Sequence, residues 1–164
     1  MTIVAVAGHD RRTHRRLQRI AVSEPASLSI LGWTDDVAGL MRSANLLVTK
    51  PGGVTTAEAL ACGLPAVLFD PIPGPEEANA RRLVQHGAAL MTRGSRAAAQ
   101  AVLLLVRDSA RLDAMRASCR AIAAPDAARW IARLALACMP DVVPAEADAE
   151  RRTTTRPPAW EAGA

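Results

Sequence analysis

Lys50, Gly52, Gly53, Val54, Thr55 and Glu58 stand close together in the stretch KPGGVTTAEALACGLP, residues 50–65, and their types point to one chemistry. A glycine pair lets the backbone take positive φ and lets a ligand approach closely. A helix opening behind it offers unpaired N–H groups and the positive end of a dipole. That combination suits a diphosphate. The main-chain N–H groups of Gly52, Gly53, Val54 and Thr55, with the Thr55 hydroxyl, would surround such an anion, although an ordinary tight turn uses the same residues. Lys50 neutralises phosphate charge or is a solvated loop cation. Glu58 also has two readings. On the first turn of the helix its carboxylate can accept hydrogen bonds from both hydroxyls of a ribose, or it closes the capping box Thr55-x-x-Glu58 and returns a bond to the Thr55 backbone.

Such a loop needs strands to hold it. NLLVT at 45–49 and AVLF at 66–69 are short apolar runs suited to buried parallel strands, which makes the motif a strand-loop-helix-strand unit. The same reading along the chain predicts strands at 2–7, 28–31, 46–49, 66–69 and 88–92. Helices are predicted at 11–22, with Leu17 and Ile20 inward, at 36–43, with Val37, Leu40 and Met41 on one face, and at 76–85. Two or three more fill 96–139. Strands alternating with helices through short loops imply an α/β fold. Its parallel sheet carries helices on both faces, and ligands bind at the carboxyl ends of the strands. Trp130, Ile131 and Leu134 recur at helical spacing as a core or interdomain stripe. After residue 140, Pro, Ala, Glu, Asp and Arg dominate and apolar periodicity ends, so the expected organisation is one domain over 1–140 and a disordered tail over 141–164.

Composition narrows the function. The 164 residues leave room for one domain with a sizeable core, not two. Without Tyr and with one Phe, the core falls to Ala, Leu, Val and Ile, and an aromatic-rich RNA surface is excluded. The net charge of +4 suits an anionic partner without choosing among nucleotide, lipid and nucleic acid. The Arg11, Arg12, Arg15, Arg16 and Arg19 cluster is a solvated helix face or a contact to anionic lipid. Cys62, Cys119 and Cys138 have neither zinc-ligand nor disulfide-framework spacing and fit a reducing cytoplasm. No metal cluster has ligand spacing. The apolar N-terminus is too short to be a signal or a span, and any membrane contact is expected to be peripheral.

Read together, LGWTDD at 31–36, VTKPGGVTTAEALACGLP at 48–65, PIPGPEEAN at 71–79 and HGAA at 86–89 resemble the C-terminal domain of glycosyltransferase family 28. The resemblance covers about residues 2–138. The KPGG and PIPGxEE versions look most like the monogalactosyldiacylglycerol synthase and processive diacylglycerol glucosyltransferase branch. It implies the C-terminal, Rossmann-like half of a GT-B fold, which binds the UDP-sugar donor while a separate half binds the acceptor. The expectation is therefore a fragment, a truncated product or one subunit of a split enzyme.

The resemblance also implies roles. Glu58 would hold the ribose, and Gly52, Gly53, Val54, Thr55 and Lys50 the diphosphate. Trp33 and Thr34 fall in the uracil-binding loop, where a side chain covers the base; the residues alone allow Trp33 to be a core anchor, with Asp35 or Asp36 capping the next helix. Glu76, Glu77 and Asn79 would meet the sugar hydroxyls, or the acids merely complement the helix dipole. Pro75 replaces the family's usual Gln. Gly8 and His9 lie beside the diphosphate where the lipid-galactosyl branch has Gly-Arg-Asn, the clearest departure. His14 and His86 are expected on a helix surface or end. No catalytic base is assigned to this chain, and no cofactor is implied beyond the UDP-sugar substrate. The implied activity is that of an inverting hexosyltransferase on a lipid or lipid-linked acceptor. It would be cytoplasmic, with peripheral contact at the inner face of the membrane and no nucleic acid. A non-catalytic nucleotide-sugar-binding module and a UDP-hexosamine 2-epimerase-like half are the rival readings.

Overall fold

The computed structural model describes residues 1–23 and 25–139. In chain order the elements are β1 (Thr2–Val6), α1 (Arg11–Leu17), β2 (Ser27–Leu31), α2 (Val37–Ser43), β3 (Leu47–Thr49), α3 (Gly53–Ala61), β4 (Ala66–Phe69), α4 (Pro75–Gln85), β5 (Ala89–Thr92), α5 (Gly94–Leu105), α6 (Ser109–Ile122) and α7 (Ala127–Ala137). The chain divides into two units, Met1–Ala123 and a second that begins at Ala124 and holds α7. The tail expected from 141 lies outside the described residues.

Ala66, Val67, Leu68 and Phe69 are apolar at every position, a pattern only a strand covered on both faces can use. β4 is that strand. It pairs in parallel with β3 on one side and β5 on the other. Ala66 and Leu68 pack on one face with Ala80 and Leu83 of α4 and Cys119 of α6. Val67 packs on the opposite face with Ala98, Ala101 and Leu105 of α5 and Leu112 and Met115 of α6. A third cluster, Met41, Ala59 and Leu64, joins α2 to the end of α3. The core is thus built on Ala, Leu and Val as expected. Ile is absent from its buried members, and Met41, Met115 and Cys119 take those places, flexible or small side chains that fill irregular gaps.

The expected sheet is realised as two hydrogen-bonded parallel sheets. β1 and β2 pair over Thr2↔Ser27 to Val6↔Leu31, apart from the β3-β4-β5 order. The lighter sheet is poorly covered, with Ile3, Val4 and Val6 exposed. Helix α1 stops at Leu17 rather than reaching 22, which leaves Ile20 exposed instead of inward. Extension past Leu17 would set Arg19 four residues after Arg15, a like-charge pair that opposes it. Helix α3 ends on Gly63, at φ +63, where the N–H groups of Gly63 and Leu64 donate back to Leu60 and Ala59. That stop sends the chain into β4. Trp130, Ile131 and Leu134 of α7 are exposed, not buried in a core. Among the described residues no helix is long and apolar enough to cross a membrane.

Candidate functional site

Three helices of the first unit start on an aspartate that satisfies their free N–H groups. Asp10 accepts from Arg12 and Thr13, Asp36 from Gly39, and Asp108 from Arg111. Helix α3 does not. Its N-cap is Gly52, and no side chain caps it, so the N–H groups of Gly53, Val54 and Thr55 face outward unpaired at the positive end of the dipole. The expected positive φ is absent: Gly52 sits at φ −63, ψ 142 in extended backbone, and Gly53 is already helical. A Cβ on Gly52 would meet nothing within 4 Å, and one on Gly53 would only graze Asn79 Nδ2 at 3.8 Å. The fold itself therefore sets no steric demand for this glycine pair. The space in front of α3 is open.

Two bonds fix that loop. The buried Thr56 hydroxyl donates to the Gly52 carbonyl at 2.9 Å, and Asn79 Nδ2, on α4, donates to the Pro51 carbonyl at 3.0 Å. No local signal in the sequence tells that Thr56 rather than its neighbour Thr55 turns inward. Because Gly52 rather than Thr55 is the cap, Glu58 lies one turn further into the helix than expected, and the capping box cannot form. Glu58 is exposed and has no protein partner. Every other carboxylate around these loops is engaged. Asp35 accepts from Trp33 Nε1 at 2.9 Å, Asp70 from Gly94 N at 2.8 Å, and Glu76 from Ile72 N at 2.9 Å, while Glu77 pairs with Arg81 at 3.0 Å. Lys50 is exposed and likewise unpaired.

The acids that open α4 thus do more than complement its dipole. Glu76 folds back over the turn through Ile72, and Gly74, at φ +101, makes that turn possible. Among the described residues Asp70 is the non-glycine residue held at positive φ, +43, and its carboxylate joins the end of β4 to the start of α5. Its partner stands 24 residues on, a separation that no local sequence signal announces.

On the lighter sheet, Gly8 takes φ +60 after β1, and the loop after β2 comes against it, with Ala7 N donating to Leu31 O at 2.9 Å. This brings His9 and Trp33 into a stack, ring centroids 4.2 Å apart and planes 10° from parallel. Trp33 is 61% exposed, so it is no core anchor. Asp36 caps α2, and Thr34 Oγ1 accepts from Asp36 N at 3.2 Å. Asp10 caps α1, and the Thr13 hydroxyl, then the Thr13 backbone N–H, hold its carboxyl below the ordinary carboxylate value. His14 is half-buried on α1, and His86 is the C-cap of α4. The predicted residues therefore fall in two groups, Gly8, His9, Trp33 and Thr34 on one sheet and residues 50–58 with Glu76, Glu77 and Asn79 on the other. Both groups lie at carboxyl ends of parallel strands.

Residues 2–129 match the profile of the glycosyltransferase family 28 C-terminal domain. The chain is 31% identical over 120 residues to a processive diacylglycerol β-glucosyltransferase of Bacillus pumilus, covering 73% of this chain and 31% of the relative. It is 30% identical over 137 residues to the enzyme of the same name from Bacillus cereus strain AH187, covering 84% and 35%. Among solved structures it is similar to Acinetobacter baumannii MurG, with a TM-score of 0.70 at 21% identity over 82% of this chain and 40% of that one, a likeness of fold. The chain spans about a third of the length of these curated relatives.

Proposed function

The chain belongs to the glycosyltransferase family 28 C-terminal domain family, and on that premise we propose that it is the donor-binding half of an inverting UDP-sugar-dependent hexosyltransferase acting on a lipid or lipid-linked acceptor. The observation that carries this reading is the unpaired charge beside an uncapped helix. Among the described residues Glu58 is the carboxylate of the loop cluster without a protein partner, and it stands on α3, which like α4 and α5 has no side-chain cap at its N-terminus. The N–H groups of Gly53, Val54 and Thr55 bind the diphosphate, and the Lys50 ammonium adds a mobile positive charge. Glu58 accepts from the ribose hydroxyls. Asn79 keeps its carbonyl oxygen and one N–H for the sugar while the other N–H holds Pro51, and Glu76 and Glu77 each keep an oxygen free.

In the reaction the acceptor oxygen bonds to the anomeric carbon as the bond from that carbon to the diphosphate oxygen breaks. One displacement inverts the centre. Negative charge grows on the departing UDP, where the α3 N-terminus meets it already oriented. The acceptor proton goes to a base on an acceptor-binding half supplied outside this chain. The relatives' name, with its diacylglycerol, supports a lipid acceptor and hence a peripheral membrane contact through the partner half. The free thiols Cys62, Cys119 and Cys138 are in keeping with a reducing, cytoplasmic setting.

Calorimetric titration of UDP into the whole chain tests this. Binding is expected, and Glu58→Ala should weaken it about tenfold or more, the scale of hydrogen bonds to a charged group. Unchanged affinity would remove the ribose role. The chain alone is expected to transfer no sugar, and transfer without an added acceptor half would contradict the assignment of the base elsewhere.

A further inference from the structure

Among the exposed apolar side chains of the described residues Trp33 is different, because its environment fixes how it is presented. Its indole N–H is tied to Asp35 at 2.9 Å, and one ring face is covered by the His9 imidazole at 4.2 Å. With those two contacts in place the residue is still 61% exposed, so the second face is open to solvent. An aromatic ring this large, held at its edge and at one face, is costly to leave uncovered and well suited to receive a flat ring. The two loops that carry the pair are pinned to each other by the Ala7 N to Leu31 O bond, and a Cβ on Gly32 would sit 3.8 Å from the Gly8 carbonyl.

Resting on the donor reading above, we propose that His9 is a positioning residue for the nucleobase and not a diphosphate contact. By stacking on Trp33 it holds the indole so that the pyrimidine lies on the opposite face, giving a three-layer stack of imidazole, indole and base. His9 then contributes to affinity through planarity rather than charge. A side chain that keeps a flat ring preserves the function, and one that removes the ring loses it. Diphosphate binding at α3 is independent of it.

The test uses the whole chain, with UDP and inorganic pyrophosphate as separate probes, measured calorimetrically for wild type, His9→Ala and His9→Phe. The expected result is that His9→Ala weakens UDP roughly tenfold, within the range for loss of an aromatic stack, and leaves pyrophosphate unchanged, while His9→Phe restores UDP binding. The pyrophosphate arm also reports that the variant remains folded. Equal weakening of UDP and pyrophosphate by His9→Ala would overturn the proposal and return His9 to the diphosphate. Tighter or unchanged UDP binding by His9→Ala, or failure of His9→Phe to rescue, would overturn it as well. If wild type binds neither probe, the donor reading falls and this inference with it; if wild type binds UDP but is indifferent to His9, only this inference falls.

Discussion

The β3-β4-β5 sheet and the β1-β2 sheet carry loops of the same candidate site on very different foundations. β4 is buried on both faces between α4, α5 and α6, whereas β1 leaves Ile3, Val4 and Val6 exposed and has one hydrogen-bonded neighbour. The loop before α3 is locked by Thr56 and Asn79. The loops with His9 and Trp33 rest mainly on each other. On the donor reading proposed above, anion and ribose recognition would rest on the well-covered sheet, and base recognition on a local, surface-borne contact.

The largest effect that would sharpen this contrast is expected from Leu68→Ala in β4. Leu68 is fully buried, and its loss should cost about 2–5 kcal/mol in a urea unfolding curve. A cost under ~1 kcal/mol would show that the β4 sheet is not the stable part. Alkaline pH strikes the same sheet more gently. Burial pushes the Cys119 thiol up to about 11 from 9.0. The unfolded thiol therefore ionises first, so the thiol's contribution is intact below pH 9.0 and is lost as pH rises toward about 11. Unfolding curves across that window should show the decline, and Cys119→Ala should abolish its pH dependence.

Asn79→Ala comes next, at about 1 kcal/mol for the lost bond to Pro51. Amide hydrogen exchange should accelerate in residues 50–55 and stay unchanged in the β1-β2 sheet. Acceleration spread over both sheets would mean that the two foundations are one. The smallest effect belongs to Val4→Ala. At 48% exposure this residue should cost within about 0.5 kcal/mol. A value comparable to that of Leu68→Ala would break the comparison outright.

Much of the α/β order was readable because each element announces itself locally. AVLF is apolar without interruption, Asp36 precedes a helical period, and Gly63 and Gly87 close their helices. What stayed hidden depends on which elements meet. Strand periodicity does not say which neighbour a strand pairs with, so β1 and β3 could not be told from members of one ladder. His9 and Trp33 sit on separate loops, and the bond from Asn79 to Pro51 spans 28 residues. Glu58 stands one turn beyond its expected place for a local reason. Gly52 and Thr55 are both acceptable caps, and only the finished helix shows that Gly52 is used.

On the proposed donor reading, the uncapped start of α3 binds a diphosphate beside a carboxylate that takes the ribose. Amide-resolved NMR of the whole chain, titrated first with inorganic pyrophosphate and then with UDP, tests it most directly. Both ligands should shift the amides of Gly53, Val54 and Thr55, and Glu58→Ala should weaken the response to UDP alone. Saturable UDP binding that leaves those three amides unmoved would contradict it.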